Sequence, residues 1–167
     1  LEESGTGNIA TAFDRSDTGV RKQEQLEPRI EWLRGEKGPV QVEEPEENGV
    51  PALVYTVDVT GGHKTGHYLD QVENRRLAAS FAPGKRVLDV FSYDGLFGIR
   101  AALAGAAEVV CVDQSEAAGE RCSANIEQNN VGDRVRFERG KAMNDLRDRA
   151  AAGEIYDLVV VDPPAFA

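Results

Sequence analysis

Three acids stand where a strand-like run gives way to a loop, and they have the most chemistry to offer. Asp89 lies within Val87-Leu88-Asp89-Val90-Phe91-Ser92-Tyr93-Asp94-Gly95-Leu96-Phe97-Gly98. Asp113 follows 24 residues later, after Val109-Val110-Cys111-Val112, and Asp162 opens Asp162-Pro163-Pro164-Ala165-Phe166. Gly95 and Gly98 let the backbone turn tightly and bring a helix close to its strand. The G-x-G-x-x-G of dinucleotide binders is absent, and a pyrophosphate would gain little beside Asp89 and Asp94. A ligand with a cationic end gains more, and S-adenosylmethionine (SAM) carries both a sulfonium and an α-ammonium group. Asp113 can accept hydrogen bonds from both hydroxyls of a ribose, as acids at such strand ends do. The same residue could instead cap a helix starting near Ser115. The paired prolines after Asp162 withhold two backbone donors and stiffen the loop. Carbonyls can then face a pocket beside Phe166, an aromatic able to stack on a base.

Placing these acids together requires a parallel sheet. Strand-like runs fall at Leu53–Val59, Arg86–Phe91, Glu108–Val112, Val135–Glu138 and Tyr156–Val161. Helical spacing spans Asp70–Ala82, with Val72, Leu77 and Phe81 as its apolar positions, and Pro83-Gly84 stops it. Further helices are expected at Leu96–Ala104, Ser115–Asn129 and Ala142–Ala152. Runs such as Leu158-Val159-Val160-Val161 are apolar on both faces, as in a sheet covered by helices. The alternation predicts an α/β Rossmann-like domain, whose ligands sit at the carboxyl ends of the strands. Only about four parallel strands are expected, fewer than a doubly wound sheet holds. The sequence therefore reads as the first half of such a domain, a fragment.

The chain has 167 residues, 19 Lys+Arg and 29 Asp+Glu, for a formal net charge of −10. That balance argues against binding nucleic acid by bulk charge alone. Twelve acids and six bases fall in residues 1–50. Residues 4–19 read as loop-like, and Val42-Glu43-Glu44-Pro45-Glu46-Glu47-Asn48-Gly49 reads as a turn or exposed connection, too polar for the core. No run is long and apolar enough for a membrane span, and the first residues lack the basic and apolar regions of a signal peptide. Cys111 and Cys122 make no disulfide framework and suit packing in a reducing cytoplasm. His63 and His67 lack a third ligand at a sensible spacing for a metal.

These blocks resemble class I SAM-dependent methyltransferases, specifically the large-subunit ribosomal RNA (cytosine-C5) methyltransferase family of the RlmI type. Upstream of the sheet, Lys64-Thr65-Gly66-His67-Tyr68-Leu69-Asp70-Gln71-Val72-Glu73-Asn74-Arg75 is similar to that family's K-T-G-x-Y-L-D-Q-x-x-N-R signature. Arg15-Ser16-Asp17, Leu26-Glu27-Pro28-Arg29 and Glu47-Asn48-Gly49-Val50 resemble its small β-rich central domain. The likeness spans Phe13 to Phe166 and implies a β-rich domain over residues 1–62, then a methyltransferase domain over 63–167.

By that resemblance Asp89, Phe91, Ser92, Tyr93, Asp94 and Gly95 wrap the methionine end of SAM. Asp113 holds the ribose, and Gln114 lies along the adenine. The stretch holding Lys141 and Ala142 flanks the adenine too, where the family usually has an acid. Lys141 cannot accept a hydrogen bond from the adenine amino group. Lys64, Tyr68, Gln71 and Arg75 are implied contacts to cofactor or RNA. Asp162, Pro163 and Phe166 are implied to orient the target base. Ribosomal RNA is the implied partner through the full-length protein, with a homodimer compatible and no membrane involved. Methylating cytosine C5 needs a cysteine thiolate added first at C6, and the family's nucleophile lies in a later block, beyond residue 167. Two other readings stay open: an exocyclic-amine N-methyltransferase, which needs no thiolate, and a non-catalytic SAM-binding module.

Overall fold

Short β-branched runs and longer amphipathic stretches alternate in this chain, and the alternation builds one parallel sheet. The computed structural model describes residues 11–16, 21, 23–60 and 68–164. Its strands are β1 (Ala12–Ser16), β2 (Arg29–Arg34), β3 (Val40–Glu44) and β4 (Leu53–Val57), followed by a short 3-10 turn at Leu69–Gln71 and helix α1 (Val72–Ser80). Then come β5 (Arg86–Val90), α2 (Leu96–Leu103), β6 (Glu108–Asp113), α3 (Glu116–Gln128), β7 (Val135–Arg139), α4 (Ala142–Ala151) and β8 (Leu158–Val161). The four later strands form a parallel sheet in the order β7-β6-β5-β8, and β1-β2 and β3-β4 form separate two-stranded sheets. The α/β Rossmann-like expectation is met.

The chain divides into two units, Leu1–Val40 with Val57–Tyr68, and Gln41–Thr56 with Leu69–Ala167. The first contains the antiparallel β1-β2 pair, where Phe13 and Trp32 are register partners with ring centroids 4.7 Å apart. Residues 12–16, expected to be loop-like, are thus a strand. Cross-strand pairing and an aromatic contact stabilise it despite its polar composition. In the second unit Val87, Val90, Val109, Val110, Cys111 and Val112 are wholly buried. Each such aliphatic side chain contributes roughly 1.5–3 kcal/mol on burial. Leu88, Val90, Val110 and Val112 form one core cluster with Ala142 at the start of α4.

Three expectations change. Glu44, within the stretch read as an exposed connection, ends strand β3 and is only 4% exposed. Its burial is tolerable because the Arg75 guanidinium pairs with it. Of the expected apolar positions, Leu77 on α1 and Phe81 at its C-cap are exposed, while Arg75 and Ala79 face inward. That helix is oriented by the Glu44 ion pair and by small-residue packing rather than by its large apolar side chains. Finally, Val159 and Val161 of β8 are exposed: they share one face of the strand, and among the described residues no helix packs closely over that face.

Candidate active site at the strand ends

The loop after β5 is held in a conformation that ordinary residues avoid. Phe91 and Tyr93 have φ of +62° and +53°, and Gly95 has φ of +77°. A non-glycine residue there costs roughly 1–2 kcal/mol, so other contacts must compensate. The Ser92 N–H donates to the Val112 carbonyl at 3.0 Å, and the Gly95 N–H to the Ser92 carbonyl at 2.8 Å. The Tyr93 N–H donates to Asp113 Oδ2 at 3.1 Å. The other oxygen of Asp113, Oδ1, accepts the Ser115 N–H at 2.9 Å. Asp113 therefore fastens the loop to the start of α3, and each oxygen keeps a further lone pair for a ligand hydroxyl. The helix cap itself is Ser115, whose Oγ accepts the Ala118 N–H at 3.3 Å.

Asp89 is 2% exposed inside an otherwise apolar strand. Its Oδ2 accepts the Gly98 N–H at 3.0 Å, serving a free donor in the first turn of α2, whose cap Gly95 has no side chain to offer. A Cβ at Gly98 would fall 2.5 Å from Cys111 Sγ and 3.0 Å from Val109. Only glycine lets the helix start so near the sheet. Burial pushes the Asp89 carboxyl up to about 7 against the opposing Gly98 hydrogen bond, and the charges of Asp94, Asp162 and Asp113 add to the rise. Four carboxylates therefore share one neighbourhood at the ends of three strands. Ser92 is 7% exposed, and its Oγ has no hydrogen-bond partner among the described residues.

The remaining expected residues divide clearly. Gln114 is exposed at the end of β6, and its carbonyl accepts a hydrogen bond from Arg139 Nε at 3.2 Å. The Lys141 side chain is exposed at the cap of α4 and makes no capping hydrogen bond, whereas Ala142 is packed in the core. Asp162 and Pro163 are exposed beyond β8. Gln71 Oε1 accepts from Asn74 Nδ2 at 2.8 Å, and Tyr68 is exposed in the first unit. Arg75, expected at cofactor or RNA, is 2% exposed, with its guanidinium paired to Glu44 and 6.0 Å from the Tyr55 ring centroid. Lys64, His63, His67 and Phe166 lie outside the described residues. Among the described residues no group of three His, Cys, Asp or Glu is arranged to hold a metal ion. Cys111 and Cys122 are both wholly buried. Contact with Cys122, burial and the nearby Asp89 all push the Cys111 thiol up, which makes it a poor nucleophile.

The sequence reading missed Asn125 and Arg121 of α3 and Asn129 at its C-cap. Asn125 Nδ2 donates to the Asp94 carbonyl at 3.0 Å, and the Arg121 guanidinium lies 4.6 Å from the Tyr93 ring centroid. Both asparagines also bond β4. A helical Asn spaced one turn from another carries a weak signal, since the same pattern suits a solvated face. A cavity of about 430 Å³ lies in the first unit, lined in part by Phe13, Asp14, Arg15 and Trp32, and contains none of the expected cofactor residues.

Comparison with known proteins decides the family. The model of the S-adenosylmethionine-dependent methyltransferase family matches residues 4–167. The chain belongs to that family. A relative from Tolumonas auensis, named ribosomal RNA large subunit methyltransferase I, is 43% identical over 93% of this chain and 38% of its own length. One of the same name from Aeromonas salmonicida is 44% identical with the same coverage. The chain thus spans less than two-fifths of these curated relatives. Among solved structures, a Streptococcus mutans protein described as a SAM-dependent methyltransferase aligns with a TM-score of 0.69. It is 29% identical and covers 82% of this chain and 36% of that one. A methyltransferase structure complexed with S-adenosylhomocysteine aligns at 0.68 with 28% identity, covering 81% of this chain and 35% of that one. No helix among the described residues is long and apolar enough to cross a membrane.

Proposed function

We propose that this chain is the cofactor-binding part of a methyltransferase that uses SAM to methylate cytosine C5 in large-subunit ribosomal RNA. The observation that carries the cofactor assignment is the gathering of Asp89, Asp94, Asp113 and Asp162 at neighbouring strand ends, with burial and mutual repulsion holding the Asp89 carboxyl near 7. A cationic ligand relieves that repulsion, and an anionic one would worsen it. The buried Ser92 hydroxyl and the spare lone pairs of Asp113 suit a ligand that also carries polar groups and a ribose. The names of the relatives support the RNA assignment.

Bound SAM supplies an electrophilic methyl group on a sulfonium. The chain's own contribution is to orient it. Asp113 would hold the ribose hydroxyls, Asp89, Ser92 and Asp94 the amino-acid end, and Gln114 the adenine. Lys141 offers no acceptor to the adenine amino group, so that contact would fall to a backbone carbonyl or be lost at a cost in affinity. Asp162 and Pro163 would present the target base, and Phe166 of the same motif is the aromatic that could stack on it. Lys64, Tyr68 and Gln71 are contacts for the cofactor or RNA in the same reading, while Arg75 is withdrawn from that role by its buried ion pair with Glu44. The thiolate that adds to C6 comes from elsewhere in the full-length protein, because Cys111 and Cys122 are wholly buried. Its addition makes C5 nucleophilic; after methyl transfer a base removes the C5 proton and the thiolate leaves.

The test is mass spectrometry of large-subunit ribosomal RNA from cells with and without the gene. Loss of one 5-methylcytosine, restored by the wild-type gene, is expected. Loss of an N-methylated base instead, with activity surviving replacement of every cysteine, would overturn the C5 assignment in favour of exocyclic-amine methylation.

A further inference from the structure

Helix α3 touches the cofactor loop on one side and strand β4 on the other, through side chains one turn apart. Asn129 acts on β4 as a neighbouring strand would. Its Oδ1 accepts the Val54 N–H at 2.9 Å, and its Nδ2 donates to the Val54 carbonyl at 2.6 Å. Asn125, one turn earlier and 2% exposed, divides its amide between two elements. Its Oδ1 accepts the Thr56 N–H at 3.5 Å, while its Nδ2 donates to the Asp94 carbonyl at 3.0 Å. The same helix faces the loop at two more points. Arg121 lies over the Tyr93 ring, and Cys122 Sγ occupies the space beside Gly95, only 2.3 Å from where a Cβ would fall.

We propose that Asn125 is a positioning residue for the cofactor, fixing the Asp94 carbonyl and with it the left-handed turn at Phe91–Gly95, with Arg121 as its helper at Tyr93. This rests on the reading of that loop as the SAM site. A loop with two non-glycine residues at positive φ relaxes unless something opposes it. Asn125 supplies a buried amide to do so, at a point where burying an unmatched carbonyl would be costly. Asn129 marks the contrast, because its contacts hold β4 and none reaches the loop.

The experiment compares Asn125→Ala and Asn129→Ala in the full-length protein, reading SAM affinity by calorimetry, KM against kcat, and thermal stability. Asn129→Ala is expected to lower Tm by at least as much as Asn125→Ala while leaving the SAM Kd within about twofold. Asn125→Ala is expected to raise the Kd and KM for SAM about five- to tenfold with kcat at saturating SAM little changed, as loss of about one hydrogen bond would do. Should Asn125→Ala fail to fold, Arg121→Met removes the cation over Tyr93 without touching β4, and is expected to raise the Kd about threefold. Equal Kd shifts in both asparagine variants, or unchanged affinity in the loop-side variant, would overturn the inference alone. A wild-type protein that binds no SAM would overturn the functional reading and this inference with it.

Discussion

The seat of the β3–β4 hairpin and the loop after β5 both bury charge, and they handle it in opposite ways. At the hairpin, Glu44 is 4% exposed and meets the Arg75 guanidinium, which is equally hidden. The Tyr55 hydroxyl lies beside them, pushed up to about 12 by burial and by Glu44. Arg100 Nη1 closes the hairpin turn by donating to the Pro51 carbonyl at 2.7 Å. At the loop, Asp89 meets one backbone N–H, with three further carboxylates nearby raising its pKa. The hairpin seat pairs its buried carboxylate with a counter-charge of the protein's own. The loop instead sets its buried carboxylate against a backbone N–H and three like charges, an arrangement that the proposed cationic ligand would relieve. Asp89 holds the start of α2 and Asp113 ties the loop to the start of α3, so two of the four carboxylates also serve the fold.

The comparison breaks most visibly at the hairpin seat. Arg75→Met leaves Glu44 buried without its counter-charge, and should cost about 3–5 kcal/mol. Replacing both partners, Glu44→Leu with Arg75→Met, should recover most of that loss, because a matched apolar pair carries no desolvation cost. Denaturant unfolding of the full-length protein measures both. A single-variant loss below about 1 kcal/mol would place the pair among weakly coupled surface ion pairs, and would erase the difference between the hairpin and the loop. The next effect in size is at the loop's mechanical support. Gly98→Ala sets a Cβ 2.5 Å from Cys111 Sγ in the core, and overpacking of that kind costs about 1–3 kcal/mol. Because the same shift withdraws the Gly98 N–H from Asp89, the variant should also weaken SAM binding. Unchanged affinity would mean that α2 and the loop move independently.

How much of this was legible in sequence follows from what each residue is bonded to. The β5–β8 sheet could be read because its strands are apolar on both faces, a pattern produced by burial itself. Asp89, Asp113 and Asp162 could be read because an acid at the end of such a strand is conspicuous. The loop's glycines could be read for the same reason, since Gly95 and Gly98 interrupt an apolar run. Arg75 and Glu44 could not. They are 31 residues apart and each looks like a solvated charge until the fold brings them together. The helix over 72–80 misled in a related way, because Leu77 and Phe81 mark an apolar face and the structure turns a different one inward. Asn125 was hidden because its function lies in two backbone groups, the Thr56 N–H and the Asp94 carbonyl, and backbone partners leave no mark on side-chain pattern.

The smallest effect tests the loop most directly, through pH. Asp89 has its carboxyl pushed up to about 7 in the folded protein, against about 3.9 in an unfolded chain. Between those values the folded state holds a proton that the unfolded state has lost, so this group makes stability fall as pH rises from about 4 to about 7. Its destabilising contribution is complete above that window and absent below it. A cationic ligand favours the ionised carboxylate, so binding draws the pKa down and releases a proton. SAM affinity should therefore rise by up to about tenfold between pH 6 and pH 8, the most that one group titrating near 7 can supply. Asp89→Asn removes the titrating group while keeping an oxygen for the Gly98 N–H. It should flatten the slope and leave affinity near the low-pH value. Calorimetry of the full-length protein in buffers of different ionisation enthalpy reads both the slope and the released proton. A wild-type affinity that is flat across this range, with no proton released, would mean that Asp89 holds α2 in place and exchanges no charge with the ligand.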